Sequence, residues 1–313
     1  MARYALSRLL ASIPTLLFVS VFIFSLLHLT PGDPAVLLAG DNATPSQVEA
    51  IRARLNLDRP LPEQFMRWFG GALRLDLGES IYSGLPVTHL IVQRIEPTIV
   101  LAAVTLVLTV VIAVPLGAVA AWNANTLIDR AAMAFAVVGF SVPVFVIAYV
   151  FVYVFAVKWS LFPVQGYSPL EDGLIATLHS VTLPAFALAL VFASLIARVT
   201  RAAVLEALDE NYIRTAHAKG LGSTRILFRH ALRAAGVPVV TVIGIGFATL
   251  IGGVVVTESV FNIPGIGRLT VDAITRRDYP VIQGVILFFS ATLILINLLV
   301  DLSYALIDPR VRL

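Results

Sequence analysis

The sequence predicts an all-α protein that crosses a membrane six times and folds as one transmembrane domain over residues 1–313. Hydrophobic residues make up 58% of the chain and charged residues only 13%, whereas a soluble domain carries about 25% charged residues. A membrane-spanning helix needs about 20 consecutive apolar residues because the hydrocarbon core of a bilayer is about 30 Å thick. Such stretches occur at 9–29, 97–121, 131–157, 177–198, 236–258 and 281–303.

The first apolar stretch also fits a secretory signal peptide, because Arg3 and Arg8 precede it. A signal peptide has an apolar region of about 7–15 residues and a small-x-small cleavage site. The stretch 9–29 is longer than that, and no such site directly follows Leu29. We therefore expect 9–29 to remain as the first span, followed by an outer loop and a five-span core over 97–303.

Basic residues predict which loops face the cytoplasm, since Lys and Arg accumulate on that side of a membrane. The segment 198–233 holds seven basic residues against three acidic ones, and both ends of the chain are basic, with Arg310 and Arg312 in the tail. We expect the termini and this segment on the cytoplasmic side. The outer loops are then 31–96, 158–176 and 259–280.

The predicted spans contain no group that could power transport. Ionisable residues lie near the span ends and not at their centres: His28, Arg198, Glu258 and Asp301. Carriers coupled to protons or sodium need such groups inside the membrane. The phosphate-binding Gly-x-x-x-x-Gly-Lys-Ser/Thr motif, the common hydrolase motifs and cysteine are all absent from the sequence. We expect a non-catalytic chain that binds no metal, cofactor or nucleic acid, so any ATP and Mg²⁺ would be held by partner chains.

The segment 198–235 carries the most informative pattern. Residues 209–219 predict a short helix with acidic residues at its start and Lys219 at its end, as the helix dipole favours. Gly220 suits a left-handed C-terminal cap. A second helix is expected to follow, with Ser223 as its N-cap. Its arginines recur every four residues and predict one basic stripe: Arg225, Arg229 and Arg233.

The residues alone leave two interpretations of this segment open. It fits a cytoplasmic loop whose arginines meet lipid phosphates. It also fits a docking element, because the small residues Thr215, Ala216 and Ala218 before a glycine turn would let a partner protein approach closely.

The run Arg-Thr-Ala-His-Ala-Lys-Gly-Leu-Gly at 214–222 resembles the coupling loop of binding-protein-dependent ABC importer permeases, in the version of the dipeptide/oligopeptide branch. It departs from the general pattern at Arg214, where a glutamate is usual, and at Leu232-Arg233, where Leu-Pro is usual; the peptide branch shares both departures. In such permeases the loop helix sits in a cleft of the ATPase subunit. The resemblance implies coupling roles for Tyr212, Arg214, Thr215, Ala216, Lys219, Gly220, Leu221 and Gly222.

The resemblance extends along most of the chain. Leu-Thr-Pro-Gly-Asp-Pro at 29–34 is similar to the end of the first span in peptide permeases. Glu-Ser-Val-Phe-Asn-Ile-Pro-Gly-Ile-Gly at 258–267 is similar to the family run Glu-x-x-Phe-x-x-Pro-Gly-x-Gly after span five. These matches imply the type I ABC importer permease fold. They assign no residue to the substrate pathway.

The outer loop 31–96 has its own pattern. Residues 44–47 predict a capped helix start, followed by an apolar face that includes Leu55. A second amphipathic stretch carries aromatic residues between 65 and 69. These helices either lie on the membrane surface with the aromatic side down or, as the resemblance implies, cover the pathway mouth and meet a substrate-binding protein.

Prolines and glycines occur within or at the borders of the predicted spans. Pro115, Pro143, Pro184 and Pro238 are expected to produce kinks. The glycines of span five are expected to allow close helix packing: Gly244, Gly246, Gly252 and Gly253.

The resemblance implies a permease subunit of a peptide importer in the plasma membrane of a prokaryote. It implies three kinds of partner besides lipid: a second homologous permease, two ATPase domains or subunits, and an extracytoplasmic substrate-binding protein. Other cargoes on the same architecture stay open, namely nickel, glutathione, haem or an opine-like compound. So do an ATP-independent carrier, a membrane scaffold and, least favoured, an intramembrane enzyme.

Overall fold

The computed structural model describes residues 2–29, 34–39, 43–54 and 57–307. Within these ranges the chain is helical apart from turns, loops and one isolated bridge between Glu79 and Pro86. The first helices are α1 (Ala2–Leu29), α2 (Pro34–Ala39), α3 (Pro45–Arg54), α4 (Leu61–Ala72), α5 (Val87–Trp122), α6 (Leu127–Ser141) and α7 (Val144–Phe151). The later ones are α8 (Leu174–Leu208), α9 (Asn211–Ala218), α10 (Ser223–Arg225), α11 (Leu232–Ala234), α12 (Gly236–Val260), α13 (Ile266–Arg276) and α14 (Tyr279–Ile307).

Two helices continue through wider π-helical turns. One follows α7 over Val152–Lys158, and the other joins α10 to α11 over Ile226–Ala231. A short 3-10 turn at Leu170–Asp172 precedes α8. Three features of the sequence lie outside the described residues: most of the 29–34 run, Leu55, and the C-terminal arginines.

By length and composition, three described helices could each cross a membrane: α5, α8 and the Tyr279–Leu302 part of α14. Two bent pairs bring the number to five if each pair is one span. The described parts of α1 and of the second half of α12 add only shorter apolar helices, Leu10–Ser25 and Thr249–Val260. The protein is therefore an all-helical membrane protein with three to five candidate spans in its described part.

The single helix expected over 131–157 is divided in two. α6 and the α7 segment meet at an angle of 101°. Val142 between them is extended, with φ −90° and ψ 126°, because the ring of Pro143 disfavours a helical conformation in the residue before it. Pro115 and Pro184, in contrast, lie inside the continuous helices α5 and α8.

Helices α5 and α8 form the most extensive helix pair. They approach closely at Gly117, where an added Cβ would lie 2.5 Å from the carbonyl oxygen of Ala197. α6 packs on α8 in a similar way, because a Cβ on Gly139 would lie 2.3 Å from the Ser194 Oγ. Small residues thus bring the central helices together, as is usual in membranes.

Two of the four glycines predicted to support packing in α12 do so. A Cβ on Gly244 would lie 2.6 Å from Val300 of α14, and one on Gly253 would lie 2.9 Å from Leu188 of α8. Gly246 and Gly252 leave room for a side chain, since the nearest atom lies at 3.6 Å in the first case and beyond 4 Å in the second.

The predicted cap of α3 forms, because the Thr44 N–H donates to Gln47 Oε1 at 2.8 Å.

The segment between α1 and α5 packs on α1 through aromatic rings. Phe65 and Trp68 of α4 contact Phe24 of α1, with ring centroids 5.4 and 6.0 Å apart. The aromatic side of α4 is therefore turned toward a neighbouring helix of the same chain.

Candidate coupling site

Helix α9 is the short helix that the sequence predicted between α8 and the next long helix. It covers Asn211–Ala218, and is thus shorter than the predicted 209–219. α8 continues to Leu208, and Asp209 is its C-cap. Glu210 has an extended conformation, with ψ 146°, and is the N-cap of α9. Two helical turns are thus presented at one end of the helix bundle.

The predicted glycine cap ends α9. Gly220 has φ +74°, the left-handed region in which glycine carries no steric cost. Its N–H donates to the His217 carbonyl at 2.9 Å, and the Leu221 N–H donates to the Ala216 carbonyl at 3.2 Å. This pair of bonds is the Schellman motif, which fixes the direction in which the chain leaves α9.

One face of α9 is buried against the rest of the chain. Ile213 is 2% exposed and Ala216 is 6% exposed. They belong to a cluster formed by the ends of α5 and α8, the π-helical turn and the start of α12; its other members include Ala118, Ala121, Ala203, Val204, Ala207, Ile226 and Leu227. The small size of Ala216 therefore serves packing within the chain, and its side chain is not open to a partner as the sequence suggested.

The other face of α9 is free for contact. The predicted coupling residues on it are Tyr212, Arg214, Thr215, Lys219, Gly220 and, just beyond, Gly222, all exposed, while Leu221 is half-buried. Burial raises the pKa of the Tyr212 phenol, and the Glu210 carboxylate raises it further. Tyr212 therefore stays neutral at physiological pH.

The second helix differs from the prediction at its start. Gly222 is its N-cap and Ser223 its first residue, so Ser223 does not cap it. The reason is that Gly222 already adopts the extended conformation of a cap, with ψ 147°. The residues of the predicted basic stripe, Arg225, Arg229 and Arg233, are all exposed.

Two side-chain contacts at this end of the bundle were missed by sequence reasoning. The His217 ring of α9 stacks on the Trp122 ring at the end of α5. Arg201 of α8 donates two hydrogen bonds to Asp129 of α6, from Nε at 2.5 Å and from Nη2 at 2.6 Å. Asp129 is the one acidic residue between two nearly uncharged apolar stretches, and that isolation was the available signal that it needs a partner.

At the opposite end of α12, a buried carboxylate joins three helices. Glu258 is fully buried. Its Oε1 accepts a hydrogen bond from Thr98 Oγ1 of α5 at 2.6 Å, and its Oε2 accepts one from the Arg268 N–H of α13 at 3.0 Å. The Ile266 N–H donates to Thr98 Oγ1 at 2.8 Å. Glu258 and Thr98 together satisfy the first amides of α13, which lack partners within the helix.

This network explains the glycines of the 258–267 run. A Cβ on Gly265 would lie 2.0 Å from Glu258 Oε1, and one on Gly267 would lie 2.6 Å from the Val255 Cα. Phe261 and Ile263 are buried between these points. The run is therefore a compact turn built around a carboxylate.

Comparisons with known proteins agree with this architecture. Residues 113–313 match the family described as binding-protein-dependent transport system inner membrane component, and residues 1–102 match the N-terminal family of such membrane components. The chain is 50% identical over 312 residues to a probable peptide ABC transporter permease protein of Sinorhizobium fredii, covering 100% of both chains. It is 42% identical over 312 residues to the glutathione transport system permease protein GsiC of Escherichia coli, covering 100% of this chain and 99% of the relative.

A solved structure shares the fold. A chain from inward-facing conformations of the MetNI methionine ABC transporter superposes with a TM-score of 0.60 at 19% sequence identity. The match covers 70% of the present chain and 96% of that chain.

Proposed function

Because the chain belongs to the family of inner-membrane components of binding-protein-dependent transport systems, we propose that it is a permease subunit of an ATP-driven peptide importer. One observation carries the proposal. Helix α9 buries Ile213 and Ala216 in a cluster to which the ends of α5, α8 and α12 also contribute, while it exposes Arg214 and Lys219. A partner that moves the exposed face of α9 therefore moves three long helices with it.

In this proposal the chain itself catalyses no reaction. ATP and Mg²⁺ are held by two ATPase domains or subunits, which receive α9 in a cleft at the exposed residues Tyr212, Arg214, Thr215, Lys219, Gly220 and Gly222. Their closure tilts the helices attached to α9. A second, homologous permease completes the pathway, and an extracytoplasmic binding protein delivers the cargo.

We infer six spans, with both termini and α9 in the cytoplasm of a prokaryotic cell. The chain has no cysteine, so single cysteines can report the side of the membrane. Ser83→Cys and Ser223→Cys are conservative changes at exposed positions in the outer loop and after α9. A membrane-impermeant maleimide should label the first in intact cells and the second only after lysis; the reverse pattern would overturn the orientation.

The cargo is proposed to be a short peptide. The relatives from Sinorhizobium and Escherichia are named for peptide and for glutathione transport, and glutathione is itself a small peptide-like molecule. Glutathione is therefore the second candidate cargo.

The function is tested by purifying the tagged chain from its native membrane and reconstituting what travels with it. An ATPase should co-purify, and proteoliposomes should accumulate labelled peptide only with ATP and the binding protein. Accumulation by the isolated chain without any nucleotide would contradict the proposal. A panel of di- and oligopeptides with glutathione would then rank the cargoes.

A further inference from the structure

A cavity of about 400 Å³ lies at the end of α5 that is remote from α9. Its walls are α1, α4, the loop 76–81 and the start of α14. Leu77 of the cavity wall and Val87, the first residue of α5, lie against the same glycine of α14, Gly284. The volume falls within the range of about 300–1,000 Å³ that is usual for small-molecule sites.

The amide of a largely buried side chain lies at this cavity. Gln283 of α14 lines the cavity and is 6% exposed. Neither of its amide atoms is among the fully buried side-chain atoms that lack a hydrogen-bond partner in the described part of the chain. An amide offers both a donor and an acceptor, so Gln283 is suited to bind a polar group of a ligand that fills the cavity.

A second buried amide lines the opposite wall. Gln64 of α4 is 7% exposed, and its Nε2 donates to the Arg59 carbonyl at 2.7 Å. An amide also has a carbonyl oxygen that can accept a hydrogen bond. Two walls of the cavity, α4 and α14, therefore each contribute a glutamine side chain.

Charges of both signs and apolar groups complete the lining. Arg67 carries the positive charge, and Asp76 and Glu79 carry negative charges. Arg67 donates to Glu63 from one edge of its guanidinium, at 3.1 and 3.2 Å, and a guanidinium has five N–H donors in all. The apolar surface comes from Phe24 and Trp68, with Leu77, Ile81 and Pro280.

We propose that this cavity binds a small zwitterion that carries a primary ammonium, an anionic group and an apolar body. The carboxylate of Asp76 would receive the ammonium, Arg67 and the amide of Gln283 would receive the anionic group, and Phe24 and Trp68 would contact the apolar body. A free amino acid or short peptide has this chemistry, and so does the ethanolamine headgroup of a phospholipid. The inference goes beyond the proposed function, because it concerns a site within one chain and holds whatever the assembly transports.

Trp68 provides a direct readout. The chain has three tryptophans, so the double variant Trp122→Phe, Trp159→Phe leaves Trp68 as the only indole. The full-length variant is placed in nanodiscs of phosphatidylcholine and titrated with the dipeptide leucyl-alanine. We expect a saturable change in the Trp68 emission. The N-acetylated, C-amidated dipeptide has no charged ends and should produce none.

The two sources are separated by the lipid. In nanodiscs of phosphatidylethanolamine, a headgroup in the cavity would shift the Trp68 spectrum before any peptide is added and would compete with leucyl-alanine. If the spectrum is the same in both lipids and only the peptide changes it, the ligand is a soluble zwitterion.

Variants then locate the site. Gln283→Leu keeps the size of the side chain, so the fold is retained while ligand binding weakens about fivefold to tenfold, the expected effect of losing one hydrogen bond. Asp76→Asn should weaken binding of the ammonium. Gln165→Leu, at an exposed glutamine outside the cavity, is the matched control and should leave binding unchanged.

The inference is overturned if Trp68 responds to no zwitterion in either lipid, or if Gln283→Leu and Asp76→Asn leave the response unchanged. Hydrogen exchange on the assembled transporter gives a second measurement, in which ligand should protect α4 and the start of α14. Neither result depends on peptide uptake, so failure of this site and failure of the proposed import function are distinguishable.

Discussion

The imidazole of His217 lies over the indole of Trp122, with ring centroids 6.4 Å apart and an angle of 26° between the planes. This contact joins α9 to the end of α5. An aromatic pair of this kind contributes about 0.5–1.5 kcal/mol. We expect Trp122→Ala to reduce ATP-dependent uptake several-fold while nucleotide hydrolysis continues. Without the ring contact, movement of α9 by the ATPase would displace α5 less.

The measurement is the ratio of peptide transported to ATP hydrolysed in proteoliposomes. Trp159→Ala is the control, since Trp159 packs on Phe155 at the end of the α7 segment and not on α9. If the two variants gave the same ratio, the contact between His217 and Trp122 would not contribute to coupling.

Replacing Gly220 should damage the end of α9. With φ at +74°, a β-branched residue is strained by about 1–2 kcal/mol, so Gly220→Val should open the Schellman turn and strongly reduce uptake. Gly220→Asn should keep more activity, because asparagine tolerates the left-handed region. Gly252→Ala is the matched control: Gly252 lies inside α12, outside the docking surface, and has no atom near its would-be Cβ. Uptake that is equally high in all three variants would show that the turn is irrelevant.

Substitutions at Ala216 and Ala218 distinguish packing within the chain from docking of the ATPase. Ala216 is buried in the chain and Ala218 is exposed. Ala216→Leu should overpack the cluster and destabilise the chain by about 1–3 kcal/mol, seen as a lower melting temperature. Ala218→Leu should leave the melting temperature unchanged but weaken co-purification of the ATPase. A lower melting temperature for Ala218→Leu, with the ATPase still bound, would contradict this assignment of faces.

The ion pair between Asp129 and Arg201 should matter for stability. Asp129 is nearly buried, and its pair spans α6 and α8. Asp129→Asn leaves the Arg201 charge without its partner and should cost about 3 kcal/mol. Adding Arg201→Met should recover part of that loss in a double-mutant cycle of thermal unfolding. Glu49→Gln breaks an exposed pair with Arg52 and should change stability by less than about 1 kcal/mol; if the Asp129 variant behaved like it, the pair would carry no stability.

Substitution of Gly265 should be more damaging than that of another glycine in the same region. A Cβ there would overlap the Glu258 carboxylate at 2.0 Å, so Gly265→Ala must displace either α13 or the carboxylate. Gly252→Ala meets no atom within 4 Å and should be neutral. We expect a large drop in folded yield and melting temperature only for Gly265→Ala. Similar behaviour of both variants would show that the network around Glu258 is dispensable.

The local chemistry of α9 could be predicted from the sequence because its signals are short-range. Lys219 followed by Gly220 indicated the end of the helix, and the structure places the left-handed residue there. The long apolar runs likewise indicated α5, α8 and α14. The ends of these helices were harder to predict. α8 continues to Leu208, and its residues Val204 and Ala207 are buried in the same cluster as Ile213 and Ala216 of α9, a tertiary effect that composition does not contain.

Relationships across the chain could not be predicted in the same way. Asp129 and Arg201 are 72 residues apart, and nothing in the separate segments pairs them. The burial of Ala216 depends on which side of α9 meets the bundle. The bend at Pro143 was indicated only as a kink, because the angle is set by packing of α6 and α7 on α8.

The carboxylate of Glu258 also fixes the length of the polypeptide that follows it. Glu258 accepts from Arg268, and Thr98 accepts from Ile266, so both amides must arrive at one small volume beside α5. Insertion or deletion of a single residue between them and Glu258 would turn α13 about its axis and carry both N–H groups away. Chain length there is consequently as constrained as residue type, and this turn is a poor place for tags, labels or engineered linkers.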